Sequence, residues 1–331
     1  MFTYILRRTL LMIPTLFLIS VIAFAVIDLP PGDYLTSYVA QLEAQGAVVS
    51  EEQILALQKR YALDQPAHVR YLNWIWRIVR YGDFGQSWNW NRPVRELLAE
   101  RLPFTIGVSV TTLVFTYLAA IPIGIYSAVR QYSWADYIFT TAGFLGLAVP
   151  NFLLALVLMY VFYRYFGVSI GGMFSPEFRD AAWSMAKFRD LLNHLWVPII
   201  VIGTSGTASL IRTMRGVMLD ELGKDYVQTA RAKGLSEIVV IVRHAARVAV
   251  NPIISVIGWT LPQIISGEAI VAIVLNLPTT GPLLYQSLLT QDMYLAGSFI
   301  FILSALTVIG TLLSDILLAW IDPRIRFDRE G

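Results

Sequence analysis

Apolar residues in this chain are gathered into blocks. Runs of them occupy 9–29, 104–129, 138–166, 195–211, 250–275 and 293–321, with polar residues collected between. A helix rises about 1.5 Å per residue, so roughly 20 residues cross a hydrocarbon core about 30 Å thick. The fourth run falls just short of that length, which predicts that its helix begins earlier. An unpaired backbone group in lipid costs several kcal/mol, so spans of this length are economical only as helices. The pattern predicts an all-α integral membrane protein with about six transmembrane helices.

Arg7 and Arg8 precede the first run, as basic residues precede the apolar part of a cleaved leader. The run is too long for a leader, and it ends in Asp28, Pro30, Pro31 and Asp33 instead of small residues. It is predicted to be a retained first span. The polar stretch 30–103 is predicted to be a small helical extracytoplasmic domain. Ser50 and Gln53 have capping-box spacing ahead of an amphipathic stretch. Residues 68–80 mix Tyr71, Trp74, Trp76, Ile78 and Val79 with Arg70, Arg77 and Arg80. Such a helix either lies on the outer membrane surface or caps the small domain by packing. Trp74, Trp76, Trp88 and Trp90 fit an interfacial belt or an ordinary core, and aromatic faces also suit sugar rings and peptide side chains.

The loop 212–249 carries a second pattern. Residues 225–233 read as a short helix with Asp225 at its start, Arg231 and Lys233 in its last turn and Gly234 as its stop. Ser236 is expected to cap a second helix at roughly right angles. The loop is therefore predicted to be a folded knob. The chain divides into an N-terminus and first span, 1–29; the extracytoplasmic domain, 30–103; a transmembrane core, 104–321, with its loop 212–249; and a tail, 322–331.

Charge sets the orientation. Lys and Arg concentrate on the side holding Arg7, Arg8, Arg130, the 212–249 loop and Arg324, Arg326 and Arg329. The positive-inside rule then predicts both termini in the cytoplasm. Only 15% of residues are charged against 56% hydrophobic, and the net charge is +2, so bulk charge gives no reason to expect nucleic acid. There is no cysteine, and His68, His194 and His244 are far apart. No metal, cofactor or catalytic site is expected. The Gly223-Lys224 pair is followed by Asp225, so the phosphate-cradling G-x-x-x-x-G-K-[ST] motif is missing. Glu268 lies inside the fifth run, where a charge costs about 2.5–3.5 kcal/mol at the membrane centre. It is expected either to face a translocation path or to pair with a polar group between helices.

The knob resembles the cytoplasmic loop of bacterial ABC-importer permeases. Their E-A-A-x-x-x-G pattern is matched by Gln228-Thr229-Ala230 and Gly234. The stretch from Asp225, Tyr226 and Val227 through Thr229, Ala230, Arg231 and Gly234 to Leu235 is similar to the dipeptide/oligopeptide branch, as are Arg243-His244-Ala245 and Asn251-Pro252. So are Arg7-Arg8 with Pro31-Gly32-Asp33, the stretch from Gly82 to Ser87 with Pro93-Val94, and Pro150-Asn151-Phe152. The chain is thereby identified as resembling the B-type permease subunit of that family along essentially its whole length. Where the family has Glu, Phe and Pro-Gly-x-Gly after the fifth span, this chain has Ala272, Leu275 and Pro278-Thr279-Thr280-Gly281. That departure keeps oligosaccharides open beside peptides.

The resemblance implies a multi-pass subunit of the bacterial inner membrane that forms half of a translocation path. It implies a homologous second permease, two ATP-binding cassette subunits that perform the hydrolysis, and an extracytoplasmic substrate-binding protein. Asp225, Tyr226, Val227, Gln228, Thr229, Ala230, Arg231 and Gly234 would then couple to an ATPase. The alternative is a self-sufficient secondary transporter with Glu268 or Asp315 as coupling groups. A membrane enzyme lacks a catalytic constellation.

Overall fold

The computed structural model describes residues 2–28 and 65–321. The expected capping box at Ser50 and Gln53 and the basic tail with Arg324, Arg326 and Arg329 lie outside them. Among the described residues there is no strand, only an isolated antiparallel bridge between Gln86 and Pro93. The helices are α1 (Phe2–Asp28), α2 (Ala67–Tyr81), α3 (Val94–Val129), α4 (Trp134–Ala148), α5 (Asn151–Phe166), α6 (Met185–Leu222), α7 (Asp225–Ala232), α8 (Glu237–Val239), α9 (Ala246–Ser255), α10 (Ile257–Val274), α11 (Thr280–Leu289) and α12 (Met293–Ile321). A π-helical turn, Val240–Ala245, joins α8 to α9.

Among the described residues, five continuous helical stretches, 237–255 one of them, are long and apolar enough to cross a membrane, and a bent pair makes up to six. That pair corrects the third run, 138–166, which is not one straight helix. α4 and α5 meet at 106°. The cause is local: Pro150 disfavours the helical conformation in the residue before it, and Val149 is extended at φ −89° and ψ 121°. Pro150 then serves as the N-cap of α5. The fifth run, 250–275, is likewise divided, with α9 ending at Ser255 and α10 starting at Ile257. Proline removes one helical N–H at Pro252, and the Ser255 hydroxyl donates back to the Pro252 carbonyl at 2.7 Å. The fourth helix does begin early: Ser184 accepts from the Lys187 N–H at 3.2 Å and starts α6 ten residues before the apolar run.

The chain forms two compact units. Of the described residues, the first comprises 2–6, 105–278 and 309–321, and the second 7–28, 65–104 and 279–308. In the second unit, Val94, Leu97 and Leu98 of α3 pack with Leu283 of α11 and with Leu295 and Phe299 of α12. α2 docks through one face. Tyr71 shares a 2.8 Å hydrogen bond with Ser20 of α1, and Trp74 packs against Phe24 and Phe301. Leu72, Trp76 and Val79 on its other face are exposed. Ordinary packing thus accounts for Trp74 and Trp88, both buried, while Trp76 and Trp90 are exposed.

In the first unit helices approach closely at glycines. A Cβ at Gly124 of α3 would lie 2.6 Å from the Met214 Cβ of α6, and one at Gly146 of α4 would lie 2.8 Å from the Thr204 Cγ2 of α6. Lipid tails give apolar helices no reason to associate, so close backbone packing at small residues supplies the attraction.

Candidate functional site

α7 is a two-turn helix placed directly after α6. Lys224 is its N-cap in extended conformation, and Asp225 sits in the first turn, where a negative charge meets the positive helix end. At the other end Gly234 adopts φ +77°, the left-handed conformation that glycine takes without penalty. Its N–H donates to Arg231 at 2.9 Å and that of Leu235 to Ala230 at 3.4 Å, which closes the orphan carbonyls of the helix. The expected stop is therefore present. The expected cap is not: Ser236 makes no side-chain cap hydrogen bond. The expected second helix does follow, as a continuous helical stretch over 237–255 that contains the π turn Val240–Ala245.

Burial divides α7 into two faces. Val227 and Ala230 are 0% and 5% exposed and belong to a cluster with Leu210, Met214 and Met218 of α6 and with Val240, Ala245 and Ala249. The family resemblance counted both side chains among those that couple to an ATPase. Here they are consumed by the chain's own core, since a three-residue spacing puts them on one helix face.

The outward face carries Asp225, Tyr226, Gln228 and Thr229, with Arg231 half-buried. Several of these side chains are tied back to the chain. The Tyr226 hydroxyl donates to Glu221. Partial burial and the Glu221 carboxylate push that hydroxyl up to about 12, so it stays protonated and donating. Gln228 donates to the Leu222 carbonyl at 3.3 Å, and Thr229 to the Asp225 carbonyl at 2.8 Å. Arg231 grips Glu237 through two hydrogen bonds at 3.2 and 2.7 Å, across the Gly234 turn. The Glu237 carboxylate raises the guanidinium above its ordinary value. These bonds tie the knob's outward side chains back to its own chain.

Glu268 of α10 is 2% exposed, and Ser109 of α3 donates to its Oε2 at 3.2 Å. Thr105, Thr112 and Thr116 share the same buried strip of α3 with Ser109. The carboxylate is therefore enclosed between two helices of this chain. Asp315 is half-buried on α12. His194 contacts the Asp190 carbonyl at 2.8 Å, and no group of three metal-ligating side chains occurs among the described residues.

Two carboxylates were missed by the sequence reading. Asp136 of α4 is buried and receives Nε and Nη2 of Arg215 from α6 at 3.1 and 3.0 Å. Asp292 is fully buried ahead of α12, and Ser87, Trp88 and Asn89 converge on it. Each left a local signal. Ser133 stands three residues before Asp136, a capping-box spacing, and Asp292 immediately precedes an apolar helix. Their distant partners left none.

The folded chain is thus a polytopic helical membrane protein bearing a rigid knob, with no metal cluster among its described residues. Residues 120–327 match the family of binding-protein-dependent transport system inner membrane components, and 1–109 match the N-terminal family of such membrane components. The chain belongs to this family. It is 35% identical over 328 residues to the oligopeptide transport system permease protein AppB of Bacillus subtilis, covering 99% of this chain and 100% of that one. It is 32% identical over 362 residues to the peptidoglycan transport system permease protein YejB of Agrobacterium fabrum, covering 98% of each. It is 31% identical over 327 residues to the glutathione transport system permease protein GsiC of Salmonella choleraesuis, covering 99% of this chain and 100% of that one.

The chain is a permease subunit of an ABC importer and a multi-pass inner-membrane protein. ATP hydrolysis in these systems belongs to separate subunits. Membership implies ATPase subunits, a second permease and a substrate-binding protein as partners.

Proposed function

We propose that this subunit forms half of a peptide translocation path and that α7 is where an ATPase subunit docks and drives it. Two ATPase subunits, one homologous permease and an extracytoplasmic substrate-binding protein complete the importer, with the termini and the knob on the cytoplasmic side. The observation that carries the coupling role is the division of α7 into a core-bound face and a clamped outward face. Force applied from outside moves membrane helices only through a stiff connector. Val227 and Ala230 fix α7 to α6, and the Arg231–Glu237 clasp fixes the turn after it. Asp225, Tyr226, Gln228 and Thr229 then form the docking surface, and Val227, Ala230 and Gly234 give it its shape. Self-sufficient secondary transport has no support from membership in a binding-protein-dependent system.

Peptides are the proposed substrate class because relatives similar over the whole chain are named for oligopeptide and glutathione transport. Glu268 is proposed to reach the path when α3 and α10 separate, with Ser109 as its resting partner. The decisive test of coupling is Thr229→Trp, which places a bulky side chain on the outward face and leaves the core face intact. Loss of ATPase subunits in a detergent pull-down, with the chain still folded and inserted, is the expected result. Undiminished retention together with undiminished ATP-driven uptake places the contact elsewhere.

A further inference from the structure

We infer that the Asp136–Arg215 pair is the joint that makes α4 and α6 move as a single body when the knob is driven, so that the two residues position the α4–α5 bend for transport. This inference rests on the coupling role proposed for α7.

The argument starts from what the pair is made of. Asp136 is 3% exposed. Its two oxygens accept Nε and Nη2 of Arg215 side by side, the planar geometry that fixes direction as well as distance. The same carboxylate accepts the Tyr132 N–H at 3.0 Å and the Thr140 hydroxyl at 3.3 Å. Asp136 thereby gathers the turn before α4, the first turns of α4 and the far half of α6 onto one group. Arg215 lies one position from Met214, whose side chain packs in the cluster that receives Val227 and Ala230 of α7. A displacement of α7 therefore reaches Arg215 through a few packed side chains.

The second observation is independent of the ion pair. Further along the same two helices, Gly146 of α4 meets Thr204 of α6 so closely that a Cβ would sit 2.8 Å from its Cγ2. A Cβ at Gly143 would touch Ala208 at 4.0 Å. The helices are thus held at two levels, by charge near one end and by close backbone approach near the other. Just past the second level, α4 stops at the Val149–Pro150 bend. Asn151, at the start of α5, reaches back to the Ile202 carbonyl and the Ser205 hydroxyl of α6, each at 3.4 Å. These last contacts are long and weak beside the bidentate pair. The bend is therefore the compliant point, and α4 with α6 the stiff one. Hinges sit where an element ends and few strong contacts cross.

The absence of native cysteine allows a direct test on the whole importer, with the second permease and ATPase subunits present. Ile138 on α4 and Thr213 on α6 are exposed and accept spin labels as cysteine variants. The expected result is one distance distribution for the pair, unchanged between nucleotide-free and ATP–vanadate states. In Asp136→Asn and Arg215→Gln the distribution should shift or broaden on adding ATP and vanadate. Arg215→Lys, which keeps the charge and loses the fork, should fall between, and it decides the matter if the neutral variants do not assemble.

A native distance that changes with nucleotide overturns the inference. So does a native-like, unresponsive distance in the variants. The ATPase pull-down is run alongside on the same samples. Failure of native chain to retain the ATPase through α7 sinks the coupling proposal, whereas normal retention with the outcomes just named sinks only the joint.

Discussion

Ser87 and Asp292 lie 205 positions apart in sequence and are joined by a 2.5 Å hydrogen bond from the serine hydroxyl to the carboxylate. The same oxygen accepts the N–H groups of Trp88 at 3.0 Å and Asn89 at 3.2 Å, and the other oxygen accepts that of Leu295 at 3.2 Å. One side chain thus caps α12 and holds the turn that leads into α3. Asp292→Ala leaves several buried donors without an acceptor, at about 1–3 kcal/mol each. We expect a loss of at least about 3 kcal/mol. Thermal unfolding in detergent measures it, and a shift near zero would mean that the turn is held by something else.

The same residue gives a pH dependence. Burial raises its carboxyl above the ordinary carboxylate value, and the bonds from Ser87 and the three N–H groups offset only part of that rise. The folded protein therefore binds this proton more tightly than the unfolded chain does. Its stabilising share is full below the ordinary value of 3.8, is lost as pH rises through the raised value, and is flat above it. Asp292→Asn cannot titrate and should lack that decline. Unfolding temperatures of the two proteins across the acid range are the comparison, and parallel curves would contradict the assignment.

A Cβ at Gly234 would meet no atom within 4 Å, so the cost of an alanine there comes from the backbone alone. An alanine held at φ +77° costs about 1 kcal/mol, and a β-branched residue more. Gly234→Val is expected to re-aim the segment after α7 and reduce ATPase retention. Gly234→Ala should do so only slightly. Equal, native retention by both would remove the turn from the coupling argument.

The two faces of α7 should respond differently. Ala230→Glu drives a carboxylate into the cluster around Met214 and Met218, and Val227→Ala removes two buried methyl-sized groups for about 2 kcal/mol. Both should lower the yield of monodisperse folded chain. Gln228→Ala on the outward face should leave that yield unchanged. If gel filtration finds Ala230→Glu as well behaved as native protein, the inward orientation is wrong.

Orientation is open to labelling because the chain has no cysteine. The concentration of Arg and Lys around the knob predicts that it faces the cytoplasm. A cysteine at exposed Lys233 should resist an impermeant thiol reagent added to intact cells and react after permeabilisation. A cysteine at exposed Asn89 should react without permeabilisation. The reverse pattern would invert the topology.

The sequence by itself determined that the chain is an all-helical membrane protein, because hydrocarbon admits long apolar helices and almost nothing else. It also determined the ends of α7, since an acid at the start and a glycine at the stop act within one turn of chain. Local chemistry even announced the α4–α5 bend, through Pro150, although the apolar run across it is unbroken. Tertiary structure decided what faces what. Nothing in the spacing of Val227 and Ala230 distinguishes a groove on a partner from a cluster in the same chain, because both present an apolar surface to one helix face. Nothing near Asp136 points to Arg215, 79 positions away, and nothing near Ser87 points to Asp292. Hydrophobic periodicity is a property of neighbours along the chain. A buried carboxylate is tolerated only where distant donors converge on it, and that convergence exists only once the helices have packed.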